Sequence, residues 1–274
     1  MQGRIRERGI SAVNGPAAPV RDHVCWAYDD AAAFAERAHD FLAAGIAAGN
    51  QTWFVAETPV PALVESLHAP AFRFVALSSA YRTDQPADPA IRVTAFRHAA
   101  ERAVAEGYRG LRVAADVTSL VRTPADLDAF ARYEHLVDRY MTTAPVTGMC
   151  AFDRSQLGDR AIAELACLHP RTNTPEVLFR LHAGAGATVL AGELDPSNTD
   201  VFAGALERAD PPVVAGEIVL DAAHLTFIDH RALFTLDDHA SRRGAVAVLY
   251  TPLPAAGRLI SLLDLSHVRV RPAP

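Results

Sequence analysis

The sequence predicts an α/β fold of two units, a larger sandwich around a parallel sheet followed by a smaller α/β domain. Half of the 274 residues are apolar and 21% are charged, which is enough apolar material for a sizeable core. Short apolar segments alternate with segments of helical periodicity, and this alternation is typical of a parallel sheet covered on both faces. A polar stretch at 169–175 contains two prolines and marks the boundary between the units.

The first unit is predicted over residues 21–170, after a flexible leader at 1–20. It begins with a strand at 23–28, and Asp29 and Asp30 then favour a helix start, because carboxylates stabilise a helix N-terminus. The alternation continues with strands at 52–56, 72–77, 111–115 and 145–152, helices at 60–68, 90–106, 126–141 and 157–168, and a polar loop at 78–89.

The second unit is predicted over residues 173–274. A Gly/Ala turn at 184–186 joins its first two strands. The predicted elements are strands at 177–181, 187–192, 213–220 and 245–249, helices at 198–209 and 230–243, and a last helix end and edge strand within 264–270.

The charge pattern excludes several classes of function. The net charge is −6 and all 26 basic residues are arginine, so the chain offers neither a Schiff-base lysine nor a phosphate-loop lysine. No basic run indicates nucleic-acid binding, and no apolar segment is long enough to span a membrane. Three cysteines without a CxxC pair favour a reducing compartment over disulfides. We therefore expect a cytoplasmic protein that binds neither nucleic acid nor membrane.

His23 and Cys25 are two positions apart on the first predicted strand, so their side chains share one face of the sheet. If Cys150 on the fifth strand shares that face, an imidazole and two thiols converge. One interpretation is a small-molecule pocket formed with Tyr28, and another is ordinary core packing. A third is a zinc or copper(I) site with His169 as fourth donor, but the spacing lacks a CxxC or HxxxH signature. No metal or other cofactor is therefore expected.

Polar side chains also follow the predicted strands, at the edge where ligands of open α/β sheets bind. They are Tyr28, Asp29, Glu57, Asp116 and Asp153. With the His/Cys group they make up the predicted ligand-binding site. Paired carboxylates also permit acid–base catalysis, so an enzyme acting on a small organic substrate is the alternative function. A third interpretation is that Asp29 and Asp116 only cap helices.

One group of residues in the first unit matches a known pattern: 23–25 with Tyr28, 41–45 with Gly49, Asp116, 150–153 and 169–170. In these residues the unit resembles the MEDS domain, a sensory module named for methanogens, methylotrophs and a dichloromethane-responsive regulator. The resemblance implies a RecA/KaiC-type sheet that has lost its phosphate loop. Residues 28–32 are consistent with the loss of this loop, because they place two carboxylates where a Gly-rich loop would bind phosphate. The resemblance also implies that the unit senses a small organic ligand.

In the second unit, residues 191–195, 218–221 and 225–233 resemble in their spacing a STAS domain, the fold of anti-sigma-factor antagonists. The resemblance implies a docking surface formed by Asp229, His230, Arg231 and Thr235. In that family a serine phosphorylated by a partner kinase follows the Asp, whereas His230 offers no hydroxyl here. The implied partner is an anti-sigma factor or another STAS-type protein. The sequence is also compatible with a homodimer.

Together these features favour a bacterial signalling or regulatory protein. Small-molecule sensing by the first unit is expected to be coupled to protein binding by a non-phosphorylatable second unit. Such coupling requires a ligand that binds two conformations with different affinity.

Overall fold

The computed structural model describes residues 23–81, 88–184 and 186–272. In them the chain is a mixed α/β structure with two sheets, one parallel and one mixed. The predicted leader at 1–20 and half of the predicted loop at 78–89, residues 82–87, lie outside the described residues. None of the described helices is long and apolar enough to cross a membrane.

The first sheet and its helices occupy residues 23–172. In chain order the elements are β1 His23–Tyr28, α1 Ala31–Ala47, β2 Gln51–Ala56, α2 Pro61–Ser66, β3 Phe72–Ala76, α3 Leu77–Tyr81, α4 Pro89–Ala105, β4 Leu111–Asp116, α5 Pro124–Met141, β5 Val146–Asp153, α6 Arg154–Ala166 and β6 Arg171–Thr172. The six strands are all parallel and follow the order β3-β2-β4-β5-β1-β6.

The second sheet occupies the rest of the described chain. Its elements are β7 Phe179–Ala183, β8 Thr188–Leu194, α7 Thr199–Ala209, β9 Val213–Val214, β10 Glu217–Asp221, β11 Leu225–Ile228, α8 His230–Arg242, β12 Val246–Tyr250, α9 Pro254–Leu262 and β13 Val268–Arg271. Parallel pairs give the order β11-β8-β10-β12-β13, while β7 and β9 pair antiparallel with β8 and β10.

Strand β1 shows how the first sheet is covered on its two faces. Side chains alternate along a strand, so Cys25 and Ala27 face the core that contains α5 and α6. Val24 and Tyr28 face the other core, which is built around α1. The two faces of β1 therefore belong to different environments.

The two units share a continuous core at α5. This helix packs against both α7 and β7, and α6 also packs against α7. Leu181 N of β7 donates a hydrogen bond to Cys167 O at the end of α6, at 2.7 Å. Arg208 of α7 forms a 3.1 Å ion pair with Asp128 of α5. These contacts attach β7, the first strand of the second unit, to the first unit.

Three predicted segments differ in the structure. The start of the predicted loop forms α3. Arg171 and Thr172, in the predicted boundary, pair with β1 as β6. The predicted strand at 213–220 is broken at Ala215 and Gly216, whose φ angles are 51° and 79°. Positive φ at two successive positions makes a tight hairpin turn, so this segment folds back as β9 and β10.

The N-cap of α1 gives a prediction about stability. Asp30 Oδ1 accepts a hydrogen bond from Ala32 N at 2.9 Å, whereas the exposed Asp29 is not the cap. We expect Asp30→Ala to lower the free energy of unfolding by about 1 kcal/mol. The matched variant Asp29→Ala should change it by less than about 0.5 kcal/mol. Urea denaturation measures both, and equal losses would show that this capping bond does not stabilise the helix.

Candidate functional site

Helix α5 carries two carboxylates on its buried face. Glu134 and Asp138 are buried together with apolar residues of the same helix, among them Leu127, Ala131 and Met141. A buried charge is costly unless it is paired and hydrogen-bonded. The partners of Glu134 come from the first sheet and from the segment after α6, and those of Asp138 come from the first sheet and from β7 of the second sheet.

Four side chains meet at this face and are called here the buried cluster: His23, Glu134, Cys150 and His169. Glu134 Oε2 lies 3.0 Å from His23 Nε2 and 3.0 Å from His169 Nε2. The Cys150 thiol donates to Glu134 Oε1 at 3.4 Å, and its sulfur lies 3.8 Å from His23 Nε2. None of the four is more than 7% exposed.

The pairing of β1 with β5 positions this cluster. His23 lies opposite Gly148, and Cys25 lies opposite Cys150. A Cβ atom at Gly148 would lie 2.9 Å from Met141 Cε and 3.5 Å from His23 Cδ2. The glycine therefore lets α5 approach the sheet closely beside the His23 ring.

An outer layer of hydrogen bonds orients both imidazole rings. His23 Nδ1 donates to Asp138 Oδ1 at 3.0 Å, and His169 Nδ1 donates to Leu165 O at 2.9 Å. Each ring therefore carries a hydrogen on Nδ1 and places Nε2 near Glu134. The two ring centroids are 4.2 Å apart.

The charges of the cluster follow from these contacts. Burial disfavours the Glu134 carboxylate, but the imidazole rings of His169 and His23, each with Nε2 3.0 Å from Oε2, outweigh it and lower the pKa of Glu134 to about 2. Burial also opposes charge on His23, yet the contacts with Asp138, Cys150 and Glu134 raise the pKa of His23 well above its ordinary value. Burial raises the pKa of Cys150 to about 12. The cluster therefore pairs a carboxylate with an imidazolium, beside a thiol too weakly acidic to serve as a nucleophile.

Cys25, expected to converge with His23 and Cys150, lies beside Cys150 but outside the cluster. It is completely buried. Burial raises the pKa of its thiol in spite of a hydrogen bond with the Thr172 side chain. The structure thus brings together His23, Cys150 and His169, with Glu134 in the place expected for Cys25.

Tyr28, expected to share a pocket with His23 and Cys25, lies on the opposite face of β1. It stacks on Phe34 of α1 with ring centroids 4.8 Å apart. Its hydroxyl donates to Asp116 Oδ2 at 2.9 Å. The structure therefore does not bring these three residues together, because five positions along a strand reverse the side-chain direction.

The carboxylates expected at the edge of the sheet are engaged locally or exposed. Asp116 Oδ1 accepts from Thr118 N and Oγ1 at 3.1 and 2.7 Å, which holds the turn after β4. Asp153 caps α6. Asp29 and Glu57 are exposed. Asp116 thus orders the turn after β4, and α1 is capped by the residue after Asp29.

The residues expected to dock a partner lie at the start of α8. Asp229 is buried and its Oδ1 accepts from Ala232 N at 2.8 Å, so it caps the helix. His230 and Arg231 are exposed, and Thr235 is half-buried. Direct contact with a partner is therefore open to His230 and Arg231, while Asp229 positions them.

The sequence prediction does not include Glu134 and Asp138. The sequence does contain a pattern that indicates their burial, because both residues fall on the same helical stripe as Leu127, Ala131 and Met141. A carboxylate in the middle of an apolar stripe is a buried charge that needs a partner.

Residues 22–170 match the family model of MEDS, described as the methanogen/methylotroph, DcmR sensory domain. The match confirms the resemblance inferred from the sequence of the first unit. It covers more than half of the chain and includes every residue of the buried cluster. No curated protein and no solved structure matches the chain.

Proposed function

The chain belongs to the MEDS family of sensory domains, and we propose that its buried cluster controls how the second unit meets a protein partner. The family match supports a sensory or regulatory role. The contacts between the units support the coupling.

Asp138 provides the observation on which this proposal rests. Its Oδ1 accepts a hydrogen bond from His23 Nδ1 at 3.0 Å, and its Oδ2 accepts one from Ala183 N of β7 at 2.6 Å. Burial disfavours its charge, but the bond from His23 outweighs this and lowers the pKa of Asp138. A change in the charge or position of His23 therefore acts on the carboxylate that holds β7.

Strand β7 leads from that carboxylate to the rest of the second sheet. It pairs with β8, and β8 pairs with β11, the strand that precedes α8. A displacement of β7 can thus reach the start of α8 through two strand pairs. This coupling has a direction only if the signal favours one arrangement of the cluster over the other.

The signal is proposed to act on the buried cluster itself. Since its side chains are almost completely enclosed, a small organic molecule of the kind expected from the sequence would have to displace packed groups. The enclosure favours a small ligand that the imidazole, thiol and carboxylate groups can bind directly.

We also propose a specific fold type for each of the two units. A RecA/KaiC-type first unit without a phosphate loop is supported by its all-parallel sheet and by the acidic junction of β1 with α1, where Asp30 caps the helix. A STAS-type second unit is supported by its mixed sheet and by α8, which follows β11 directly and begins after Asp229.

The proposed partner is an anti-sigma factor or another STAS-type protein that contacts the start of α8. Phe227 and Phe234 are 47% and 44% exposed there, close to the exposed His230 and Arg231. Exposed aromatic and arginine side chains are enriched at protein interfaces. Because His230 cannot accept phosphate from a serine kinase, control of this surface is assigned to the first unit.

The variant Asp138→Asn tests the coupling. Asparagine keeps the size of the side chain but removes its charge, so the Ala183 amide loses a charged acceptor whichever way the new amide is oriented. We expect the Ala183 amide of the full chain to exchange its hydrogen about 10- to 100-fold faster, as for the loss of a hydrogen bond to a charged group. Hydrogen exchange followed by mass spectrometry or NMR measures this.

The matched control is Asp128→Asn. Asp128 is on the same helix and also reaches the second unit through Arg208, but its side chain is 43% exposed. This variant should leave exchange at Ala183 within about threefold, because exposed ion pairs contribute little. Unchanged exchange in Asp138→Asn, or equal acceleration in both variants, would refute the role of Asp138.

A further inference from the structure

We propose that the buried cluster is a metal site for one divalent ion of the zinc class. The donors are His23 Nε2, a Glu134 carboxylate oxygen, Cys150 Sγ and His169 Nε2. The ion is then the ligand of the sensing cluster, and its regulatory consequence rests on the function proposed above. Imidazole nitrogen, carboxylate oxygen and thiolate sulfur are the donors that zinc takes in proteins.

The spacing of the donor atoms fits a single ion. The four atoms lie within 4.8 Å of one another. Around a tetrahedral zinc ion with bonds of about 2.0 to 2.3 Å, the donors are separated by about 3.3 to 3.6 Å. His23 Nε2 lies 3.0 Å from Glu134 Oε2 and 3.8 Å from Cys150 Sγ, on either side of that range. Side-chain shifts of about 1 Å therefore bring the donors onto one centre.

An unpartnered nitrogen points independently to a ligand. His169 is completely buried, and its Nε2 forms no hydrogen bond, although Glu134 Oε2 lies 3.0 Å away. Leaving a buried polar atom without a partner is costly. Because Nδ1 is bound to Leu165 O, Nε2 is the ring atom left for a metal ion, and it faces Glu134 Oε2 at 3.0 Å.

The outer hydrogen bonds of both rings are those of metal-binding histidines. Such histidines usually donate their second ring N–H to a carboxylate or a backbone carbonyl. His23 does so to Asp138, and His169 does so to Leu165 O. The rings are therefore oriented for metal binding before any ion arrives.

Metal binding is balanced by the release of protons. The ion replaces the proton of the Cys150 thiol and the Nε2 proton of His23, and both pass to solvent. The thiolate and the Glu134 carboxylate then neutralise the divalent charge. Four protein donors leave no open coordination position, which is typical of structural rather than catalytic sites. The ion joins β1, α5, β5 and the segment after α6 around Asp138.

Zinc binding by the full chain tests the site. Protein stripped with a chelator is titrated with Zn²⁺ against a competing chelator, and Co²⁺ serves as the spectroscopic probe. We expect one ion per chain, tetrahedral cobalt d–d absorption and a thiolate-to-cobalt charge-transfer band. Cys150→Ser should abolish that band and weaken zinc binding at least about 10-fold. Cys167→Ser removes a completely buried thiol outside the cluster and should leave both unchanged.

A charge-transfer band that persists in Cys150→Ser would overturn the site, and so would zinc that dialysis removes from the wild-type chain. Circular dichroism shows whether each variant folds. If Cys150→Ser does not, His169→Gln replaces it: zinc affinity should fall at least about 10-fold while the thiolate band remains. Unchanged zinc affinity in a folded His169→Gln would also overturn the site. Exchange at Ala183 in Asp138→Asn is measured on metal-stripped protein as well, so the two proposals can fail separately.

Discussion

Replacing Glu134 by glutamine is expected to lower the free energy of unfolding by about 3 to 5 kcal/mol, the cost of breaking a buried ion pair. Glu134 is completely buried and lies 3.0 Å from both His23 Nε2 and His169 Nε2. Glutamine keeps the size of the side chain but removes one of the two carboxylate charges that balance the His23 imidazolium, the other being that of Asp138. A bound metal ion would lose a ligand, which changes stability in the same direction. Urea denaturation of the full chain measures the loss.

The control for Glu134→Gln is Asp128→Asn on the same helix. Like Glu134, Asp128 has two basic partners: Arg132 at 3.0 Å and Arg208 at 3.1 Å. Its side chain, however, is 43% exposed. We expect this variant to lose less than about 1 kcal/mol, because water screens exposed ion pairs. A loss for Glu134→Gln no larger than that for Asp128→Asn would show that the cluster does not depend on its buried charge.

The variant Gly192→Ala is expected to lower the free energy of unfolding by about 2 to 6 kcal/mol. Gly192 of β8 has a φ angle of 90°, and a Cβ atom there would lie 2.1 Å from Leu178 O. The strained backbone and the displaced carbonyl each contribute to the loss. Because β8 meets β11 at Gly192 with a shift in register, the damage falls on the strand that leads to α8.

Gly216→Ala is the matched control for Gly192→Ala. Gly216 also has a positive φ, 79°, but a Cβ atom there meets no atom within 4 Å. Backbone strain alone should cost about 1 to 3 kcal/mol. Thermal denaturation compares the two variants. Equal losses would show that the close approach of Leu178 does not matter.

Long, periodic elements of the fold could be predicted from the sequence, whereas short pairings could not. The first strand was expected at 23–28 and is observed as His23–Tyr28. The helix expected at 126–141 is observed as Pro124–Met141, with Thr123 as its cap. The two-residue strand β6 carries no periodic signal. The hairpin of β9 and β10 depends on two positive φ angles, which an Ala-Gly pair in the sequence does not predict.

The candidate site divides in the same way. The period of a strand was enough to place His23 and Cys25 on one face, and the same rule separates Tyr28 from them. Glu134 and Asp138 were missed because carboxylates on a helix usually face solvent. Only their positions on the apolar stripe of α5 indicate that they are buried. Where His169 packs depends on the end of α6, which local sequence does not determine.

Hydrogen exchange in the variant His23→Gln tests the coupling between the two units most directly. His23 belongs to β1 of the first unit and contacts Asp138, which holds Ala183. We expect the Ala183 amide to exchange at least about 10-fold faster, while the Leu220 and Leu249 amides in the middle of the second sheet keep their protection. Unchanged exchange at Ala183 in a folded variant would contradict the coupling, as would equal acceleration at all three amides.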